Sequence, residues 1–88
     1  MNSIKTFHLS RILKFCRTFR KEYNLKSGKV YFCDDVVVVQ FKHQIEDWTY
    51  NLEFSYSGEL EPENCTKTIW TTDSDGDRTG EEEELYDA

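Results

Sequence analysis

Apolar side chains recur with a helical period near the start of the chain. Wound at about 100° per residue, Leu9, Ile12, Leu13, Cys16, Phe19 and Tyr23 fall in one arc about 120° wide. Arg11, Lys14, Arg17 and Lys21 lie opposite. The pattern predicts an amphipathic helix over residues 6–24, with Thr6 as its N-cap. A stop is expected between Asn24 and Gly28, where glycine is free to turn left-handed. Beyond Gly28 the period falls to two. Trp48, Tyr50, Leu52, Phe54 and Tyr56 alternate with Thr49, Asn51, Glu53 and Ser55, which gives a strand with one apolar face.

Two further strands, Lys29–Cys33 and Val36–Lys42, flank an Asp34-Asp35 turn. Ser57-Gly58 turns the chain, Pro62 interrupts the next segment, and Thr66–Thr72 reads as a fourth strand. From Asp73 onward almost nothing is apolar before Leu85 and Tyr86, so residues 73–88 read as an acidic flexible tail. The expected fold is α+β: a single domain over residues 1–72, with the N-terminal helix on an antiparallel four-stranded meander. Its helix should pack Leu9, Ile12, Leu13, Cys16 and Phe19 on the face carrying Trp48, Tyr50, Leu52 and Phe54. Val36–Val39 puts apolar side chains on both faces of its strand. Three arrangements accommodate that: the tail folds under the sheet, a second copy or a partner covers it, or two valines stay partly exposed.

Composition refines the picture. Eighty-eight residues form one domain with a thin core, burying about 60–65% of the unfolded surface. Six Phe, five Tyr and two Trp compensate with large side chains. Cys16, Cys33 and Cys65 are odd in number and lack CxxC spacing, so they read as free thiols in a reducing compartment. No N-terminal stretch reads as a secretion signal. The longest aliphatic run, Val36–Val39, falls far short of the roughly 20 residues that span a bilayer. A cytoplasmic protein without membrane contact is expected.

The net charge of −6 conceals a division. Residues 1–43 carry nine Lys or Arg against three acids, and residues 44–88 carry two against fourteen. Such asymmetry bears on partners.

Candidate chemistry is sparse. His8 and His43 lack any nucleophile motif. Cys33 with His43 is the one conceivable thiol–imidazole pair, while Cys16 sits in the helix's apolar arc and reads as core. The scattered Cys and His have no zinc-ligand spacing. Asp73, Asp75, Asp77, Glu81 and Glu84 match positions 1, 3, 5, 9 and 12 of an EF-hand loop. Arg78 replaces the obligatory glycine, Gly80 stands at an apolar position, and flanking helices are missing. Neither a metal nor another cofactor is expected, and the chain reads as a non-enzyme.

Two charged surfaces remain. Arg11, Lys14, Arg17 and Lys21 could contact phosphates, as in a nucleic-acid-binding regulator, but the acidic half opposes that. The acids alternate at Glu59, Glu61 and Glu63 and again at Asp73, Asp75 and Asp77. A block of Glu81, Glu82, Glu83 and Glu84 follows, then Asp87. In extended chain, residues i and i+2 lie about 6.6–6.8 Å apart, roughly twice the 3.4 Å step between phosphates of one DNA strand. These eleven residues are the expected partner-binding set, as a phosphate-like line of charge.

Small size, acidic charge, an α+β meander and the lack of a catalytic motif give the chain a character that resembles small phage-encoded inhibitors of host defences, of the anti-CRISPR and DNA-mimic type. The resemblance covers the whole chain in character and rests on no family motif, so no residue role is carried over. It implies a stoichiometric inhibitor whose partner is a basic nucleic-acid-binding protein, such as a host effector or nuclease. No direct nucleic-acid binding is expected, and a homodimer fits the two-faced valine strand. A structural or accessory protein with a solubilising tail is the further alternative.

Overall fold

The amphipathic N-terminal pattern forms helix α1, Ser3–Tyr23, in a computed structural model that describes residues 3–86, with side chains from Leu9 onward. The helix starts three residues before Thr6, which is therefore inside it and not its cap. It ends in a Schellman arrangement: Leu25 N–H donates to Arg20 O at 2.9 Å and Asn24 N–H to Lys21 O at 3.4 Å. Asn24, with φ 58°, takes the left-handed position assigned above to Gly28. Asparagine tolerates that conformation because its short polar side chain can bond locally. Gly28 serves close approach instead. A Cβ there would lie 2.5 Å from Gln40 O and 2.7 Å from the Phe41 ring.

Five strands follow: β1 Lys29–Phe32, β2 Val36–Lys42, β3 Trp48–Ser55, β4 Thr66–Thr72 and β5 Arg78–Glu84, with a 3-10 turn at Pro62–Asn64 before β4. They form one antiparallel sheet in chain order, β1-β2-β3-β4-β5. The fold is α+β, but of five strands and not four. The additional strand is the acidic segment Arg78–Glu84, paired with β4 along its whole length from Thr72↔Arg78 to Thr66↔Glu84.

The register sets the faces. Val37↔Phe54, Val39↔Leu52 and Phe41↔Tyr50 pair across β2 and β3, and all six side chains are buried beneath α1. Ile12, Cys16 and Phe19 descend onto them, joined by Leu25 and Cys65. Phe19 organises the aromatic part, 4.4 Å from Tyr23 and 6.0 Å from both Phe41 and Tyr50 between ring centroids. Leu13, expected in this core, is 45% exposed. It projects to one side of the Ile12–Cys16–Phe19 stripe, since successive helical residues turn by about 100°. Leu9 is half-buried. On the open face, Val36 and Val38 stay half-buried, and Val38 is flanked in register by Tyr31 and Glu53. A polar chain continues beside them, from Gln40 Nε2 to Asn51 Oδ1 at 3.0 Å and from Asn51 Nδ2 to Thr66 Oγ1 at 3.5 Å.

Candidate functional site

The acidic third of the chain is built on a hairpin arm. Of β4, strand β3 pairs with Thr66–Ile69 alone, so the remainder of β4 and the facing part of β5 project beyond Trp48. The arm is clamped at its middle to the 43–48 connection. Trp70 N–H donates to Asp47 O at 3.0 Å, and its indole Nε1–H donates to Thr49 Oγ1 at 2.9 Å. Arg78 reaches Asp47 at 2.6 Å and lays its guanidinium 4.6 Å from the Trp70 ring centroid. The tip is the segment Asp73–Asp77, closed by Asp73 N–H to Asp77 O at 2.9 Å, with Gly76 at φ 85°.

This tip explains the calcium-like spacing. One oxygen of Asp73 accepts from the backbone N–H groups of Asp75 at 3.0 Å and Asp77 at 2.9 Å. The aspartate thus closes its own turn, as Asx residues commonly do. Glu81 and Glu84 lie along β5, away from that loop, and no cluster of three or more metal-ligating side chains occurs among the described residues.

On β5 alternation splits the glutamates. Glu81 and Glu83, opposite Ile69 and Lys67, face the helix side of the sheet, while Glu82 and Glu84, opposite Thr68 and Thr66, face the open side. All four are exposed. Lys67 points its ammonium over the Trp48 ring at 3.7 Å. Arg78 with Asp47 is the one ion pair among the described residues, so no cation pairs with the β5 carboxylates there.

The other expected acids do not continue one row. Glu59 is exposed in the turn after β3, where its N–H meets Ser55 Oγ. Glu61 is half-buried and Glu63 sits in the 3-10 turn, which breaks the extended spacing between them. Both approach Cys65 together with Glu53, whose carboxylate accepts from Asn64 Nδ2 at 2.8 Å. Asp87 lies outside the described residues. The structure therefore groups acids as a tip (Asp73, Asp75, Asp77), a two-sided strand (Glu81–Glu84) and a cluster around Cys65. Glu53 joins that last group unanticipated; it stands on the polar side of β3's alternation, which was its only signal.

The conceivable thiol–imidazole pair is separated. Cys33 and His43 flank the two ends of β2, whose seven residues span more than about 20 Å. The His43 Nδ1 accepts from the backbone N–H groups of Ile45 at 3.1 Å and Glu46 at 3.0 Å. Burial pushes the Cys16 thiol up to about 12. Burial also raises Cys65, with Glu53, Glu63 and Glu61 adding to it against a hydrogen bond from the Glu53 backbone. Both thiols are held protonated near neutral pH. The side chain of His8 lies outside the described residues.

Arg11, Lys14, Arg17 and Lys21 stand exposed along α1, as their spacing predicts. Arg11 and Lys14 border a cleft of about 580 Å³ with Phe15, Tyr23 and Tyr86. Tyr86 belongs to no periodic pattern in the sequence, because it follows the acidic block. Burial, then the neighbouring Cys65, Tyr23 and Glu22, pushes its phenol up to about 12.

No protein family, curated protein or solved structure matches this chain.

Proposed function

We propose that the chain is a non-catalytic binding protein whose acidic arm captures the Lys/Arg-lined groove of a nucleic-acid-handling protein and competes there with DNA or RNA. The observation that carries this reading is the state of β5: four consecutive glutamates, all exposed and held in register on both faces of a strand, without a cation paired to them among the described residues. Held this way, the carboxylates keep a regular interval of about 6.6–6.8 Å on each face and lose less freedom on binding than a loose tail would. The target would be a defence nuclease or effector, as the resemblance to small phage inhibitors implies. Charge complementarity of this kind acts chiefly through a faster association and a strong salt dependence.

The test begins with a pull-down from the native host using the intact chain. The captured protein is then titrated with DNA or RNA. Competition with the intact chain, lost when Glu81, Glu82, Glu83 and Glu84 are changed together to glutamine, supports the proposal. Simultaneous binding of the chain and the nucleic acid contradicts it.

A second reading keeps one specific observation in its favour. Arg11, Lys14, Arg17 and Lys21 are exposed and carry no ion pair among the described residues, so α1 could contact phosphates itself. A gel shift with DNA or RNA at physiological salt, abolished by charge reversal at Arg11 and Lys14, would favour that regulator over the inhibitor.

A further inference from the structure

The sheet has two edges, and they differ sharply. The β5 edge is lined by Glu81–Glu84, and a second strand of the same kind beside it would concentrate eight carboxylates. Charged edges of this type block strand addition. The β1 edge carries no such block. Val30, Tyr31 and Phe32 are consecutive and exposed, Phe32 to 58%. Paired edges of that composition are a common mode of protein association.

The ladder shows which backbone groups β1 leaves free. Cys33 N–H donates to Val36 O at 2.9 Å, so Cys33, Tyr31 and Lys29 turn their N–H and C=O groups toward β2. Val30 and Phe32 turn theirs away from the sheet. Their side chains stand on the helix face, in register with Val39 and Val37. Leu13, 45% exposed, lies on the same side of the helix: it shares a hollow with Gly28 and Phe41, next to the start of β1.

We propose that β1 pairs antiparallel with β1 of a second copy of this chain, with Tyr31 on the two-fold axis and Val30 opposite Phe32 of the other copy. This register joins the outward N–H and C=O groups of Val30 and Phe32 in two hydrogen-bonded pairs and extends the sheet from five strands to ten. It places the two Tyr31 side chains together on the open face. Val30 and Phe32 of both copies form an apolar floor on the helix face, between the two Leu13 side chains. Charge selects a second copy as the occupant. The same register sets Lys29 opposite residue 33 of its mate, so Lys26 and Lys29 of each chain lie beside the Asp34-Asp35 turn of the other, twice over. The acidic arms then stand at the two far ends of the assembly, clear of the seam. This inference stands independently of what the arms bind.

Sedimentation and cross-linking test it. The intact chain should form a dimer at micromolar to sub-millimolar concentration, and Phe32→Lys should abolish it while circular dichroism stays unchanged. Tyr31 meets its mate at a non-hydrogen-bonded pair, where α-carbons are about 4.5 Å apart and within disulfide reach. Tyr31→Cys in a Cys33→Ser background should therefore oxidise to a covalent dimer. Lys29→Cys should cross-link while Cys33 is present and fail to do so with Cys33→Ser, because residue 29 lies about 14 Å along the strand from its own mate. A monomer throughout that concentration range overturns the proposal. So does a dimer indifferent to Phe32→Lys, or one that cross-links equally well through Lys29→Cys without Cys33.

Discussion

Gly80 lies directly across from Trp70 in the β4–β5 ladder, and a Cβ at Gly80 would stand 2.8 Å from the indole Cζ3. The same Cβ would be 2.8 Å from the Thr68 Cγ2. The tryptophan ring thus occupies the space that a side chain on β5 would need, and Arg78 covers it from the strand's first residue. Gly80→Val should displace the ring and loosen the arm, at a cost of about 1–3 kcal/mol, the usual range for overpacking. Amide hydrogen exchange would report it as lost protection over Glu81–Glu84, with Val37–Phe41 unchanged. Glu81→Gln, exposed on the opposite face, should leave both regions protected.

The core rests on a narrow stripe of α1. Phe19→Ala and Leu52→Ala should each cost about 2–5 kcal/mol by urea unfolding, a large fraction of a small domain's stability. Leu13→Ala should cost far less, because the side chain is 45% exposed. Equal losses at Leu13 and Phe19 would contradict the helix rotation described.

What the sequence disclosed and what it withheld follow from how each element is held. Strands β2, β3 and β4 were legible to within a residue because packing under α1 imposes alternation on β3, and β-branched residues fill β2 and β4. Strand β5 was not, because no apolar face holds it. Its backbone ladder to β4, the Thr71–Thr79 hydroxyl contact at 3.2 Å and the Trp70–Arg78 clamp do so instead. Composition alone therefore read Arg78–Glu84 as tail. The stop between Asn24 and Gly28 is legible, but glycine is the commoner left-handed residue and so points to Gly28, whereas Asn24 closes the Schellman turn. For the candidate site, the exposed cations of α1 were fully predictable from spacing. The grouping of acids was not: Pro62 redirects the chain into a 3-10 turn, and only the folded register shows that Glu81 and Glu82 face opposite sides.

Calcium provides a test of the tip. Asp73 already accepts two backbone N–H groups, and Glu84 is at the far end of the paired strand. Millimolar calcium should leave the melting temperature unchanged. Asp73→Ala should lower it with or without calcium, since each lost hydrogen bond contributes about 0.5–1.5 kcal/mol. A calcium-dependent rise that Asp73→Ala removes would restore the EF-hand reading.

Alkaline pH should destabilise the fold. Folding raises the Cys16 thiol from 9.0 to about 12. The stability linked to that proton is complete below pH 9, where the thiol is neutral in both states. It falls as pH rises through the interval up to about 12, where the unfolded thiol ionises and the folded one does not. Tyr86, raised from 10.0 to about 12, adds to the decline in the upper part of that range. Melting temperatures should therefore drop steadily above pH 9, and less steeply in Cys16→Ala. At neutral pH a thiol reagent should label exposed Cys33 first and reach buried Cys16 and Cys65 only on unfolding.

The central claim is that recognition is carried by fixed carboxylates of the arm. Deleting residues 79–88 would remove a strand as well as a charge, so neutralisation is the fair experiment. The most direct measurement is the affinity of the captured partner for a chain with Glu81–Glu84 changed together to glutamine, at low and at physiological salt. Single rim charges contribute under about 1 kcal/mol each, so the combined variant is needed. Slower association, weaker binding and a flattened salt dependence are expected, with β5 still protected from hydrogen exchange. Equal affinity of the neutralised and intact chains at both salt concentrations would contradict that claim, and would assign recognition to the apolar and aromatic surface instead.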